Sequence, residues 1–330
     1  MDALDPRSFR HFSALLSTGR TYHFVDQLPS PVSPSAPTIL CIHGFPDSWY
    51  GWRHQIAPWV RRGFRVVAPD MLGYGATDKP RDPAAYSTRR LSDDLAALLD
   101  HLSIRSAIVA GHDWGSYTAG RFALWHPDRL MSVPFTPPSP KHIPLADAVR
   151  RNPAFAYQAY FADPASASEI EANLPRFLDA MYGRIRADEP LHLANNMRRF
   201  VLAQIDGARA SKPYVSDAEI AHAADQLRDM HGPLCYYRTT QARFEEEHAA
   251  RLPLSLPPTL PVLFIYGTRD PTSTPERHRA PDGSGVVRIE GAGHWVLLQA
   301  REVVVREVVG WVERMGVAPV GGRGEGRARL

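Results

Sequence analysis

The chain of 330 residues has only two cysteines, Cys41 and Cys235. That scarcity excludes a disulfide framework and any cysteine-rich metal site, and the 14 histidines lack H-x-x-x-H or similar ligand spacing, so no metal is expected. No apolar run approaches the ~18 residues that a membrane-spanning helix needs. The opening residues, MDALDPRSFRHF, lack a basic segment followed by an apolar stretch, so no secretory signal is read. No Asn-x-Ser/Thr acceptor occurs, and lysine is confined to Lys79, Lys141 and Lys212. The formal net charge is +3, and most of it sits in the arginine-rich end after Gly316. The body is therefore near neutral, without the basic balance that a nucleic-acid partner would call for. Hydrophobic residues make up 44% and charged residues 22%, a mix that excludes disordered and coiled-coil chains.

What the sequence does have is proline, 30 in all, clustered at Pro29–Pro37, Pro134–Pro144 and Pro253–Pro261. The last two clusters bracket a segment of different character. Between about 145 and 252 the chain is polar, rich in helix formers and without a convincing buried strand. Outside the bracket, short Val/Ile-rich segments alternate with helical patterns. TYHFVDQ opens the series, followed by TILCI, FRVVAPD, SAIVAG, PVLFIYG and GVVRIEG. Apolar runs without polar alternation suit strands buried on both faces of a parallel sheet. Leu91, Leu95, Leu98, Leu99 and Leu102 recur at helical spacing, and residues 301–315 read as a closing helix. Ser166 and Glu169 have the spacing of a capping box. The expected architecture is α/β: a doubly wound, mostly parallel sheet with an inserted helical cap. Its expected parts are a first core segment 1–137, a cap 138–255, a second core segment 256–315 and a disordered tail 316–330.

Four segments carry the chemistry. The strand SAIVAG runs into Gly111, His112, Asp113, Trp114 and Gly115, then a helix. This is the G-x-S-x-G arrangement of a nucleophile elbow, with Asp113 in place of Ser. After TILCI comes His43, Gly44, Phe45, Pro46, a turn able to aim the Phe45 N–H into the cleft reached by the Trp114 N–H as an oxyanion hole. Asp270 follows PVLFIYG, and His294 lies in the glycine-rich loop after GVVRIEG. Loops at the strand C-termini of an open α/β sheet converge on one crevice. The order Asp113, Asp270, His294 is nucleophile, acid, base, as in α/β-hydrolases.

With those residues in order, the chain resembles α/β-hydrolases of the epoxide hydrolase branch, over about residues 10–315. PDMLGYGATDKP is similar to that family's loop after the fourth strand. The haloalkane dehalogenases share the Asp nucleophile, but they usually carry Asn where this chain has Phe45. Fluoroacetate dehalogenases have Arg where it has Trp114. The resemblance extends to NPAFAYQAYF and LCYYRT, similar to the two cap segments that each bring a tyrosine over the nucleophile. It implies that Tyr157 and Tyr237 are proton donors to the epoxide oxygen, with Tyr160 and Tyr236 as packing residues. His43, Phe45, Trp114, Gln158 and Trp295 are expected to line the substrate pocket. His43 and His112 are also expected to hold backbone turns.

The aspartate has a chemical consequence of its own. A serine nucleophile suits acyl transfer, whereas Asp would make an anhydride there. Asp suits attack on a saturated carbon, giving an alkyl ester that water can cleave. The expected function is therefore a cofactor-independent epoxide hydrolase acting on a small epoxide and water, as a monomer or homodimer. A dehalogenase is the alternative reaction, and a slow ligand receptor on the same fold is the alternative of another class. The expected location is cytoplasmic, with a peroxisomal alternative because Ala328, Arg329 and Leu330 resemble the small–basic–Leu peroxisomal signal.

Overall fold

The computed structural model describes residues 1–33, 35–132, 138–256, 260–272 and 285–317. The tripeptide Ala328–Leu330 and all of the expected tail but Gly316 and Val317 lie outside the described residues, as do Pro134 and Pro137 of the second proline cluster. The strands are β1 (His11–Leu15), β2 (Thr21–Gln27), β3 (Thr38–Ile42), β4 (Arg65–Pro69), β5 (Ala107–Gly111) and β6 (Leu130–Ser132). They form one sheet in the order β1-β2-β4-β3-β5-β6. β1 and β2 run antiparallel at one edge, and β4, β3, β5 and β6 are mutually parallel.

Alternation along the central strands divides the core. Leu40 and Ile42 of β3, Val67 of β4 and Val109 of β5 face one side. Ile39, Cys41, Val66, Ala68 and Ile108 face the other. Both sets are buried, so the strands carry no polar alternation. The helices α1 (Arg53–Arg61), α2 (Thr88–His101) and α3 (Trp114–Trp125) follow β3, β4 and β5. Leu91, Leu95, Leu98 and Leu99 of α2 share the first side with Phe122 of α3. The second side is filled by Trp49, Trp52 and Trp59, on and just before α1.

Between β6 and the next core strand lie α4 (Leu145–Arg151), α5 (Ala156–Ala162), α6 (Ser166–Ala172) and α7 (Leu174–Met181). The ribbon β7 (Ile185–Ala187) and β8 (Gly207–Arg209) then encloses α8 (Asn196–Val201). α9 (Asp217–Gln226), α10 (His231–Arg238) and α11 (Thr240–Ala249) complete the segment. The ribbon is antiparallel and largely exposed, so the segment contains strands, though none is buried. Its apolar face is continuous with the core: Phe161, Phe177 and Leu234 join the cluster on the α2–α3 side. Buried charge ties the same interface, Arg121 Nε lying 2.6 Å from Glu247 Oε1 and Arg53 Nη2 2.5 Å from Glu219 Oε1.

Two expectations are corrected here. Ser166 is not an N-cap: it lies inside α6, and its buried hydroxyl donates to the carbonyls of Phe161 and Asp163. The capping box sits instead at Ser216 and Glu219, opening α9, where the preceding backbone is extended as an N-cap requires. The last strands, β9 (Leu263–Gly267) and β10 (Gly285–Ile289), form a parallel pair of their own. They are not buried on both faces. Residues 263–266 of β9 are half-buried, and Val286 of β10 is 48% exposed. Among the described residues β9 and β10 hydrogen-bond to no strand but each other. α12 (Val296–Gln299) and α13 (Arg301–Arg314) close the chain, with Val304, Val309 and Val312 of α13 packing beside the tryptophans.

Gly115 fixes how closely α3 approaches the sheet, because a Cβ there would stand 2.0 Å from the Ile42 carbonyl oxygen. Gly115→Ala should therefore destabilise the protein by about 1–3 kcal/mol or more, the usual cost of overpacking. Gly310→Ala is expected to act in the opposite sense. Its Cβ would meet only the Arg314 side-chain end at 3.5 Å, and Ala exceeds Gly in helix stability by up to about 1 kcal/mol. Urea midpoints measured on both variants would check the two signs.

Candidate active site

β3 and β5 pair in parallel with Ile42 opposite Gly111, so both chains leave the sheet at the same level. The His112 N–H then bonds the Ile42 carbonyl at 3.0 Å, and the two loops stay in contact. Asp113 stands at the turn into α3 with φ 54 and ψ −120, a strained backbone for a non-glycine residue. A side chain at Gly111 would place its Cβ 2.5 Å from the Gly115 carbonyl oxygen, so the elbow needs glycine on both sides of Asp113. The Phe45 N–H donates to Asp113 Oδ1 at 2.9 Å, the first of the two donors expected for an oxyanion hole. The second, the Trp114 N–H, is at the first residue of α3, and no hydrogen bond from it reaches Asp113.

His294 connects the two carboxylates. Its Nδ1 lies 2.9 Å from Asp270 Oδ2, and its Nε2 lies 3.6 Å from Asp113 Oδ2. Asp270 Oδ1 accepts from the Thr272 N–H at 2.8 Å and hydroxyl at 2.7 Å, so the acid is held from the side away from the histidine. Burial alone would raise the Asp270 pKa, but the His294 bond and charge and the Thr272 donors drive it well below the carboxylate range. Burial would lower the His294 pKa. The bond to Asp270, its charge and that of Asp113 overcome this and lift it to about 9. With Nδ1–H given to Asp270, Nε2 is the nitrogen that gains or loses the proton facing Asp113.

His43 and His112 brace this arrangement from below. His43 Nε2 accepts from the Met71 N–H at 2.9 Å while Nδ1 lies 2.9 Å from the Gly44 carbonyl oxygen, where it donates. His112 Nε2 donates to the His294 carbonyl at 3.0 Å. Burial, then the His294 charge, pushes its pKa down to about 4, so it stays neutral. Both histidines hold backbone turns, as the sequence suggests.

A cavity of about 540 Å³ opens in front of Asp113, walled by Trp114, Tyr157, Gln158, Arg243 and His294. Its far end runs under β9 to Val304 and Trp311, so only part of that volume adjoins the nucleophile position. Trp114, Tyr157 and Gln158 thus lie where the sequence reading puts them. Three other expected pocket residues do not. His43, Phe45 and Trp295 are buried at 2–3% exposure and are not on the cavity wall. Their side chains are spent on packing. Phe45 stacks among Phe161, Phe177 and Tyr237. Trp295 lies flat on Tyr182 at 4.4 Å and donates its indole N–H to the Met181 carbonyl at 2.6 Å.

The two cap tyrosines come from α5 and α10, with ring centroids 6.5 Å apart. Tyr157 is on the cavity wall, with the Gln158 amide 3.4 Å from its hydroxyl. Tyr237 is buried edge-on against Trp114 at 5.1 Å. Burial first, then the Asp113 charge and Tyr157, keeps its pKa well above the usual tyrosine value, so it retains its proton. Tyr236 packs on Tyr74, Tyr86 and Trp114 and donates to the Leu72 carbonyl at 3.0 Å, the packing role expected of it. Sequence reasoning missed Arg243. No local spacing marks it, because its place on the wall depends on α11 reaching α3.

The description alpha/beta hydrolase fold matches residues 37–300 of the chain. Bifunctional epoxide hydrolase 2 of Rattus norvegicus is 29% identical over 327 residues, covering 93% of this chain and 56% of the rat protein. The chain thus spans about half the length of such mammalian relatives. Epoxide hydrolase srdG of Neurospora crassa is 30% identical, covering 91% of this chain and 94% of that one. The crystal structure of epoxide hydrolase A from Mycobacterium thermoresistibile superposes with a TM-score of 0.78 at 28% identity, over 92% of this chain and 98% of that one. Elbow, acid and histidine loop therefore stand on a shared architecture over nearly the full described length. The chain belongs to the α/β-hydrolase fold family, and within it to the epoxide hydrolase branch.

Proposed function

We propose that the chain is an epoxide hydrolase that converts an epoxide and water to a vicinal diol through an alkyl ester on Asp113. The observation that carries this reading is the His294 ring, bonded to Asp270 on one nitrogen and facing Asp113 Oδ2 at 3.6 Å with the other. In the first step Asp113 Oδ2 attacks an epoxide carbon and the ring C–O bond breaks. The leaving oxygen takes a proton from Tyr157 or Tyr237, and the product is a hydroxyalkyl ester. In the second step neutral His294 removes a proton from water at Nε2, and the water oxygen adds to the Asp113 carboxyl carbon. The oxyanion forms at Oδ1, where the Phe45 N–H is already placed. Collapse breaks the bond from the carboxyl carbon to the alkyl oxygen, and that oxygen takes the proton held by His294. The proton left on the added oxygen returns to the tyrosinate, and diol, carboxylate, tyrosine and neutral imidazole are restored. We assign residues 138–255 as the cap between core segments 1–137 and 256–315, because this segment supplies Tyr157, Gln158, Tyr237 and Arg243 to a site built on the core.

Charge links the two steps. With Asp113 ionised, the His294 pKa of about 9 keeps the ring protonated at neutral pH. Alkylation removes the Asp113 charge, one of the causes holding the proton, so the ester form favours the neutral base that hydrolysis needs. Asp113→Asn mimics that loss, and the His294 ring followed by NMR should titrate below the wild-type value of about 9. An unchanged titration would detach Asp113 from the histidine.

Asp113→Ala should abolish diol formation from a panel of aryl and aliphatic epoxides. His294→Gln should permit alkylation but not release, so an ester adduct should accumulate in the intact-protein mass. No adduct with an epoxide that the wild type consumes would defeat the two-step scheme, and halide release from alkyl halides in place of diol formation would favour a dehalogenase.

The tyrosines give a graded outcome. Tyr157→Phe and Tyr237→Phe should each slow ring opening by roughly 10²-fold, within the range of a general acid, and the double variant should be nearly inactive. Single-turnover kinetics would read this directly, and a double variant at the wild-type rate would remove both residues from the mechanism.

A further inference from the structure

Arg243, on α11, is 8% exposed and lies on the wall of the cavity that holds Asp113 and His294. Its guanidinium carbon sits 4.9 Å from the Trp114 ring centroid and 5.1 Å from that of Tyr117. Its Nη2 reaches the Thr240 hydroxyl at 3.3 Å, and its buried Nε has no hydrogen-bond partner. Among the described residues no carboxylate lies within ion-pair distance of it. Of the two carboxylates one helical turn on, Glu246 makes no ion pair with it, its buried Oε2 having no hydrogen-bond partner, and Glu247 is taken by Arg121 Nε at 2.6 Å and by the Thr88 hydroxyl at 3.0 Å. Asp113 and Asp270 both face His294.

A permanently charged side chain that has largely left water, on a cavity wall, with no hydrogen bond from its Nη1 among the described residues, is set up to receive an acceptor. The rings of Trp114 and Tyr117, set at 80° to each other, pack beside the guanidinium, and its fork geometry suits a planar carboxylate better than a neutral carbonyl. The catalytic cycle adds a second argument. Once Asp113 becomes an ester, the cavity has lost one negative charge while Arg243 keeps its positive one. A substrate that brings its own anion supplies the missing counter-charge for the life of the ester.

We infer that Arg243 is a specificity-determining residue that binds an anionic group, a carboxylate, on the substrate beside the epoxide. This rests on the epoxide hydrolase reading above, and the test separates the two. Two aryl epoxides are compared, one with a ring carboxylate and one with the uncharged, near-isosteric ring carboxamide. The variants are Arg243→Met, which keeps the apolar stem, and Arg243→Lys, which keeps the charge without the fork. Wild-type kcat/KM should favour the carboxylate. Arg243→Met should lose roughly tenfold or more of that preference, mainly through KM on the carboxylate, and Arg243→Lys should fall between. Comparing the two substrates across variants cancels their intrinsic reactivities. Benzoate, which cannot react, is the binding probe by calorimetry, and Arg243→Met should weaken it by a similar factor.

An equal loss on both substrates would reduce Arg243 to a packing residue and overturn the inference. So would epoxide turnover without benzoate binding or carboxylate preference. If no epoxide were opened, the reading of the reaction would fail. Benzoate binding lost in Arg243→Met would then still support the anion site.

Discussion

The register between β3 and β5 is the constraint from which the site follows. Ile42 lies opposite Gly111, and the Ile42 carbonyl then accepts the His112 N–H. A slip of one residue would turn every side chain of either strand to the other face, exchanging the residues that the two packed layers are built around. The hydrophobic layers on both sides of the sheet therefore fix where Phe45 and Asp113 meet. Their 2.9 Å contact is a by-product of packing that no local preference specifies.

The close approach carries a cost, and the sequence shows where it is met. Asp113 accepts a positive φ because Gly111 and Gly115 leave room for the turn. Strain held at Asp113 keeps its carboxylate lifted above the sheet instead of folded into helix-cap bonding, and no side-chain cap is made there. The carboxylate is thereby left for the Phe45 N–H on one oxygen and His294 on the other. Two carboxylates then face one imidazole, and their charges help lift the His294 pKa to about 9.

The helical segment between β6 and β9 gives the site its walls. Its apolar residues merge with the α2–α3 core, so Asp113 is roofed by a continuation of the hydrophobic interior and not by a loose flap. Pairs such as Arg121–Glu247 and Arg53–Glu219 place their charges where the segment meets the core. Removing one partner of such a buried pair is expected to cost several times more than an exposed pair contributes. Arg243 differs from these two arginines in having its charge turned to the cavity.

Much of this was legible in the residues. The apolar runs located β2 and β3 at the bounds the fold adopts, and the leucine spacing located α2, because burial imposes a period on the chain. The order Asp113, Asp270, His294 was readable because each follows an apolar strand, and strand ends are where a parallel sheet gathers its loops. Other features are properties of contacts between distant segments. The stray capping box at Ser166 had the right spacing, but the adjoining helices bury it, while the same spacing at Ser216 falls where the chain is extended. Phe45, His43 and Trp295 looked like pocket residues by proximity in sequence, and tertiary packing turned their side chains into the core. Arg243 carried no local signal at all, since a charge is a wall only when another helix stands opposite it. The sequence by itself determined the periodicity and the chemistry of the loops. Only the tertiary structure decided which side chains face the cavity, because facing is set by what each helix finds on its other side.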